Sequence, residues 1–587
     1  MPELQFKGKE FVYNHHLTVP FRPLVPDAAK SCGTDPENLI IHGDNLHALK
    51  SLLPRYAGKV DLVFIDPPYN TGNEGWAYND NVASPLMKEW LDGNPVNAED
   101  MLRHDKWLCM MWPRLKLLHE LLSEAGSIWI TLDDNEAHHA RAVLDEIFGE
   151  RGSVANCIWQ HSIQGKGYTD VFSVSHNHIL VYGKPGFEVL GLARAEEHNK
   201  SYSNPDRDPR GDWRTGDVRN SLDRANLKYR LRTPSGKFIE PPEKGWRWKP
   251  ETMQSKIDRG EIVFVDDESR IIRKIYLQDQ ARRAAETVWF AHSVGSTRDA
   301  QGEVGRIMGE KVLETIKPVA LIQRVLEIGT DEDSIILDSF AGSGTTAHAV
   351  LAQNAKDGGN RKFILIECED YADTLTAERV RRVIQGYSFT GTLREEVLRE
   401  KITFSKLKKA NQLLDQVRLV EQQNMNRFDA IRPTVKAGEL IVTGEKKITK
   451  KTEGLGGGFT YCTLGDKLEL DDLLTGKSLP EFAAFGSYLF HTATGQPLDP
   501  AKVREWDGYL GESAQYHVWL IYRPELDWLK SRDAALTLVV AEKIAATGKD
   551  KPHLVFAPAR FVPQKKLLEL GVEHAPLPYA LYRIEKA

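Results

Sequence analysis

Through the first 185 residues, short apolar runs alternate with helically spaced segments, and turn formers separate them. Leu39-Ile40-Ile41-His42 reads as a buried strand that stops at Gly43-Asp44-Asn45, and a helix is predicted from Leu46 to about Leu53. Asp61-Leu62-Val63-Phe64-Ile65 is a second buried strand. It ends abruptly at Asp66-Pro67-Pro68-Tyr69, before the turn formers Asn70-Thr71-Gly72. Strand, helix, strand is the unit of a parallel sheet. Helical spacing returns over residues 101–122, through Leu108, Met111, Leu115, Leu118, Leu121 and Leu122. A strand from Ser127 to Leu132 then runs into Asp133-Asp134-Asn135-Glu136, with a helix from about Ala137 to Phe148. Ala155 to Trp159 and His178 to Tyr182 read as two more strands.

From about Phe187 to Ala300 the periodicity fades. Ser334-Ile335-Ile336-Leu337-Asp338 restores it as a buried strand, leading into Ser339-Phe340-Ala341-Gly342-Ser343-Gly344-Thr345-Thr346 and a helix through Leu351. Lys362 to Glu367 is a further strand ending in an acid. Residues 391–429 are predicted helical and highly charged, and a strand is predicted from Ala437 to Val442. Gly454-Leu455-Gly456-Gly457-Gly458 is a flexible break. Beyond it, Tyr516 to Tyr522 and His553 to Phe556 read as strands, and Ala535 to Ile544 and Leu567 to Leu570 as helical or mixed pieces.

Composition narrows the class. A chain of 587 residues is too long for one core, and its 41% apolar and 27% charged residues are ordinary for a soluble protein. No apolar run approaches a membrane span, and Met1 to Lys9 has no signal-peptide core. Five scattered cysteines include no pair at metal-ligand spacing, which points to a reducing cytoplasm and no zinc site. The net charge is −6, yet residues 200–250 carry 13 Lys and Arg against 7 Asp and Glu. These cations are interleaved with Tyr202, Trp213, Tyr229, Trp246 and Trp248. Such alternation suits phosphate contacts plus stacking on bases, or else an irregular solvated insert.

The strand ends carry the candidate chemistry, because ligands of open α/β sheets sit beyond the carboxyl ends of the strands. The Asp66 carboxylate and the Pro67 carbonyl can accept both protons of an exocyclic amine. Pro67 and Pro68 stiffen the loop, and Tyr69 offers a flat face for a flipped nucleobase. Asp44 either receives a cofactor's amino group or caps the next helix. Asp133 and Asp134 read as helix-start acids, and His176 and His178 as surface or packing histidines. The Gly342–Gly344 turn lets backbone N–H groups approach a polar ligand. It lacks the lysine of a nucleoside-triphosphate loop and falls short of a dinucleotide fingerprint. Glu367 at the end of the next strand suits two ribose hydroxyls.

Together these pieces resemble an amino-group DNA methyltransferase that uses S-adenosylmethionine. Asp66-Pro67-Pro68-Tyr69 matches the catalytic motif, and Asp338, Phe340, Gly342 and Gly344 the cofactor loop. The catalytic motif comes first, then a recognition insert, then the cofactor loop, which is the permuted order of the beta group. Residues 66–79 and 128–136, Asn204-Pro205-Asp206, Asp208-Pro209-Arg210-Gly211 with Trp213, and Pro241-Pro242 with Gly245-Trp246 resemble the modification subunit of type III restriction–modification systems.

The resemblance implies an α/β fold: a Rossmann-like methyltransferase sheet in permuted order, an inserted target recognition domain and a C-terminal α/β domain. The expected boundaries are 1–185 for the catalytic half, 186–300 for the insert, 301–390 for the cofactor half, 391–450 for a helical connector and 451–587 for a dimerisation or partner-docking domain. Asp66 and Pro67 would hold the amine, with Pro68 and Tyr69 completing the catalytic loop. Asp44, Lys317, Asp338, Phe340, Gly342, Gly344, Thr345 and Glu367 would bind S-adenosylmethionine, with Lys317 at its carboxylate. Arg210, Trp213, Arg214, Trp246 and Arg247 would contact double-stranded DNA. The implied activity is site-specific N6-adenine methylation in the cytoplasm of a bacterium or archaeon. A second copy of the chain and a restriction or helicase subunit are the implied protein partners.

Three alternatives stand beside it. N4-cytosine methylation shares the motif, though Asp as its first residue leans towards adenine. RNA or protein methyltransferases with a similar tetrapeptide usually carry the cofactor loop first and lack the basic insert. A DNA-recognition subunit without catalysis would not need both half-sites intact.

Overall fold

Ile335–Asp338 lies in the middle of a ten-stranded sheet. On one side of it come Lys362–Glu367, Leu39–His42, Gly458–Leu464 and Leu24–Gly33. On the other come Val60–Ile65, Leu122–Leu132, His176–Gly183, Ser153–Gln160 and Val288–Trp289. This computed structural model describes residues 3–33, 37–71, 102–165, 171–280, 282–310, 312–313, 315–436, 438–468 and 479–577. The chain divides into two units, residues 1–188 with 287–587, and residues 189–286.

From Gly458–Leu464 across to Leu122–Leu132 the strands run parallel, and His176–Gly183 is antiparallel to both of its neighbours. Both faces of the parallel block are buried, so its strands read as continuous apolar runs. Alternation still sorts the faces. Leu39, Ile41, Val63, Ile65, Ile128, Ile130, Leu337, Ile364 and Ile366 share one core with the helices Asn45–Tyr56, Arg103–Leu121 and Ala137–Phe148. On the other face Gly329 meets Leu62 and Trp129 so closely that a methyl group there would lie 2.8 Å from Leu62 Cδ1.

The chain leaves Ile335–Asp338 through the helix Thr345–Asp357 to Lys362–Glu367 on one side. It leaves Val60–Ile65 towards Leu122–Leu132 on the other. The strand order therefore reverses between Ile335–Asp338 and Val60–Ile65. In an open parallel sheet a crevice opens at such a point, just past the carboxyl ends. The two runs expected to carry the site are thus neighbours, with Ile336 opposite Leu62 and Leu337 opposite Val63.

Three expectations are revised. Residues 391–429 are not one helical stretch: Gly386–Lys401 is a strand paired with Glu439–Glu453, and only Phe404–Leu407 and Ala410–Asn424 are helical. The charges that suggested a helix face are matched across strands instead, Arg394 to Glu445 at 2.9 Å and Arg399 to Glu439 at 2.7 Å. The C-terminal region does not separate at residue 451, because Gly458–Leu464 pairs with Leu39–His42 inside the main sheet. Further along the chain, Tyr509–Glu512, His517–Leu520, His553–Ala557 and Val572–Pro576 form a four-stranded sheet. Its core takes in Phe21, and Leu498 N–H donates to the Pro54 carbonyl at 2.8 Å. Third, the strands expected from Ser127, Ala155 and His178 begin earlier, at Leu122, Ser153 and His176. Residues 72–79 of the resemblance and Ala437 lie outside the described residues.

The unit of residues 189–286 is built around the antiparallel strands Ile262–Val265, Arg270–Tyr276 and Trp213–Gly216. The helix Pro250–Asp258 lies against them through Met253, in a core with Leu231, Trp246, Ile262 and Ile271.

Candidate active site

Asp66 comes directly after Val60–Ile65, and four side chains fix it or its surroundings. Thr131 Oγ1 donates to Asp66 Oδ1 at 2.5 Å, from the adjacent strand Leu122–Leu132. Lys317 Nζ forms an ion pair with Asp66 Oδ2. The same ammonium lies 5.2 Å from the Tyr69 ring centroid, on which it exerts a cation–π attraction. Asn177 Nδ2 donates to Tyr69 Oη at 3.3 Å, and burial raises the pKa of the Tyr69 phenol well above its ordinary value. Trp107 Nε1 donates to the Pro68 carbonyl at 2.7 Å. A carboxylate has about four acceptor positions, so Asp66 keeps acceptor capacity beyond Thr131 and Lys317.

The second loop is organised by its own acids. Asp338 Oδ1 accepts from Phe340 N–H at 3.0 Å and Oδ2 from Thr346 Oγ1 at 2.5 Å. Burial pushes the Asp338 carboxyl up to about 7, with the charges of Asp66 and Glu367 adding to the effect. Glu367 Oε2 accepts from Gly342 N–H at 2.7 Å and Oε1 from Glu369 N–H at 2.9 Å, and burial raises its pKa as well. Gly344 has φ 75°, and a methyl group on it would lie 3.0 Å from the Thr376 carbonyl. Ser339 Oγ is buried without a hydrogen-bond partner among the described residues. An unsatisfied hydroxyl costs about 1–3 kcal/mol, so a polar ligand beside this loop would satisfy it.

The structure thus brings Asp66, Tyr69 and Lys317 together on one loop end and Asp338, Phe340, Gly342, Gly344, Thr345 and Glu367 on the neighbouring one. Lys317, expected at a cofactor carboxylate, is here the ionic partner of Asp66. Of the two readings of Asp44, the cap is observed: Oδ1 accepts from Leu46 N–H at 2.9 Å and His47 N–H at 3.2 Å, and Oδ2 from Arg114 at 3.2 Å. Asp134 is more than a helix-start acid, since His178 Nε2 lies 2.9 Å from its carboxylate.

The insert residues need correction. Trp246 is 3% exposed and donates to the Tyr229 carbonyl at 2.8 Å, and Trp213, 9% exposed, donates to Asp206 at 2.8 Å. Neither ring has a free face for a base. The sequence shows only that aromatic and basic residues alternate, and here the rings form the core while the cations lie outside it. Arg210 donates to the carbonyls of Arg259 and Gly260 at 2.8 and 2.9 Å and stacks 3.9 Å from the Tyr276 ring centroid, so it too is structural. Arg214 and Arg247 remain exposed. Arg247 lines a groove of about 740 Å³ with Arg219 and Lys244.

Sequence reasoning passed over Thr131, Trp107, Asn177 and Asn70. Only Asn70 carried a signal, as the residue directly after the tetrapeptide. Asn70 is buried with φ 60°, and its amide reaches the carboxylate of Glu136.

Two acid-flanked loops on adjacent parallel strand ends, one aromatic and one glycine-rich, define an α/β protein with two half-sites in one crevice. The DNA methylase family of N6 and N4 methyltransferases matches residues 60–378, a span that holds both half-sites, and the chain belongs to that family. It is 31% identical to the StyLTI Mod subunit of a type III restriction-modification enzyme from Salmonella typhimurium, over 68% of this chain and 62% of that protein. It is 31% identical to the EcoPI Mod subunit of Escherichia phage P1, over 57% and 58%. It is 32% identical to the type II methyltransferase M.KpnI of Klebsiella pneumoniae, over 55% and 79%. The match spans about three fifths of the two Mod subunits.

Proposed function

We propose that the chain transfers a methyl group from S-adenosylmethionine to the N6 amino group of adenine in double-stranded DNA, as the modification component of a restriction–modification enzyme. The observation that carries this is the adjacency of the Asp66–Tyr69 and Asp338–Gly344 loops at the strand-order reversal. Likeness to two Mod subunits supports the modification role, with a restriction subunit and a second copy of the chain as partners.

Glu367 has acceptor capacity left for two ribose hydroxyls, and Ser339, Phe340 and Gly342 would line the remainder of the cofactor. When bound, S-adenosylmethionine supplies an electrophilic methyl group on a sulfonium. The amine is a poor nucleophile because its lone pair is delocalised into the ring. Asp66 and the Pro67 carbonyl accept its two N–H bonds, which favours a pyramidal nitrogen with a freer lone pair. Tyr69 stacks on the flipped base. Lys317 and Thr131 hold the Asp66 carboxylate in place, so little reorganisation is needed at the moment of transfer. As the N–C bond forms, the methyl–sulfur bond would break and leave a neutral thioether; the nitrogen is then cationic, and Asp66 is placed to receive the proton it sheds. No base is required before attack.

The test is tritiated methyl transfer to DNA and to RNA, followed by nucleoside analysis. N6-methyladenine in DNA is expected. Asp66→Ala should abolish transfer and leave cofactor affinity within about two-fold. Label in RNA but not in DNA, or a near-normal turnover of Asp66→Ala, would overturn the proposal.

A further inference from the structure

We propose that Glu136 is a positioning residue that holds the catalytic loop through Asn70; this rests on the methyl-transfer reading. Glu136 is 0% exposed and stands just after Leu122–Leu132, the strand beside the one that delivers Asp66. Its Oε1 receives the Asn70 amide and lies 2.6 Å from His104 Nδ1, and its Oε2 lies 2.9 Å from His139 Nδ1. A carboxylate only accepts, so each imidazole presents Nδ1–H to it. Donors from three separate segments thus converge on one buried carboxylate. A buried carboxylate is tolerated when it is paired and hydrogen-bonded in this way.

Two imidazoles and a carboxylate also suggest a cation site, and distance decides between the readings. Tetrahedral zinc with bonds of about 2.0–2.1 Å keeps its ligand atoms roughly 3.3 Å apart. Separations of 2.6 and 2.9 Å belong to charge-assisted hydrogen bonds instead.

Asn70 is the lever. It comes directly after Tyr69, and its φ of 60° is the left-handed conformation that asparagine tolerates better than most residues. Clamping its side chain fixes where the chain turns after the tetrapeptide. The helix Arg103–Leu121 grips the loop twice, through Trp107 on the Pro68 carbonyl and through His104 on Glu136. Asp66, the Pro67 carbonyl and the Tyr69 ring are thereby held from both ends of the loop. Loosening one end should displace the amine acceptors while leaving the Asp338–Gly344 loop untouched.

Asn70→Gly in the full chain tests the clamp, because glycine adopts φ 60° freely while the bond to Glu136 is lost. A displacement near 1 Å costs roughly 100-fold in turnover. The expected result is therefore a kcat about 100-fold lower, with the KM for S-adenosylmethionine within about two-fold. The exchange Asn70→Asp with Glu136→Gln reverses donor and acceptor, and it should recover about ten-fold over Glu136→Gln alone. A kcat for Asn70→Gly within about two-fold of wild type, no recovery in the exchange, or one equivalent of zinc retained by wild type and lost in Glu136→Gln would each overturn the proposal. A wild-type chain that transfers no methyl group refutes the methyl-transfer reading instead. Amide exchange at Asp66, Tyr69 and Thr71 then decides the clamp: faster exchange in Asn70→Gly supports it, and unchanged exchange overturns it.

Discussion

Replacing Asp338 with asparagine should remove a proton that the folded chain holds near neutrality. The carboxyl is 4% exposed, and burial opposes its ionised form. Thr346 and the Phe340 N–H pull the other way by donating to it, but burial prevails, and the carboxyl is pushed from 3.8 up to about 7. Proton counting gives the sign. Between about pH 4 and about pH 7 the folded chain keeps this proton and the unfolded chain releases it, so stability falls as pH rises. Each pH unit contributes about 1.4 kcal/mol, and the full interval up to about 4 kcal/mol, with nothing further lost above about pH 7. Asparagine keeps the shape: its Oδ1 accepts from Phe340 N–H and its amide donates to Thr346 Oγ1. Urea unfolding of wild type and Asp338→Asn from about pH 4 to about pH 8 should give curves that meet at the acid end and separate towards neutrality, with the variant the more stable. Parallel curves, or a variant that is weaker throughout, would refute the argument that burial dominates at this carboxyl.

Gly344→Ala puts a methyl group 3.0 Å from the Thr376 carbonyl at φ 75°. Strain of about 1–3 kcal/mol should lower the affinity for S-adenosylmethionine in calorimetry while leaving DNA binding unchanged. Arg219→Ala, Lys244→Ala and Arg247→Ala should weaken DNA binding evenly across sequences, each lowering the salt slope by about 1 in filter binding. Trp246→Ala should instead destabilise the unit of residues 189–286 by about 3–5 kcal/mol, read as early proteolysis of that unit.

The sequence made the strand ends legible because each is an apolar run that stops at a charged residue, as at Asp66, Asp338 and Glu367. Both faces of a parallel sheet are buried, so such runs stand out without any alternation. The charged stretch after Gly386 was harder, since acids and bases spaced for a helix face serve equally well as pairs across strands, as Arg394 with Glu445 and Arg399 with Glu439 do. The insert misled for a related reason. A tryptophan among arginines is read as a stacking platform or as core with equal right, and only the fold put Trp213 and Trp246 inside.

What no local pattern supplies is the partner of Asp66. Lys317 lies 251 residues further along the chain, beyond the whole of the 189–286 unit. They meet because both belong to the ten-stranded sheet unit, where the strand ending at Asp338 pairs with the one that leads into Asp66. Permuted order in sequence is therefore no obstacle to a single crevice. Parallel pairing sets which loops are neighbours, and an insert leaves that pairing intact as long as both its ends return to the same sheet, as Ser153–Gln160 and Val288–Trp289 do by pairing with each other. The chemistry depends on register of this kind: a shift of one residue between Ile65 and Ile130 would turn every side chain of one strand to the opposite face and carry Asp66 out of reach of Thr131.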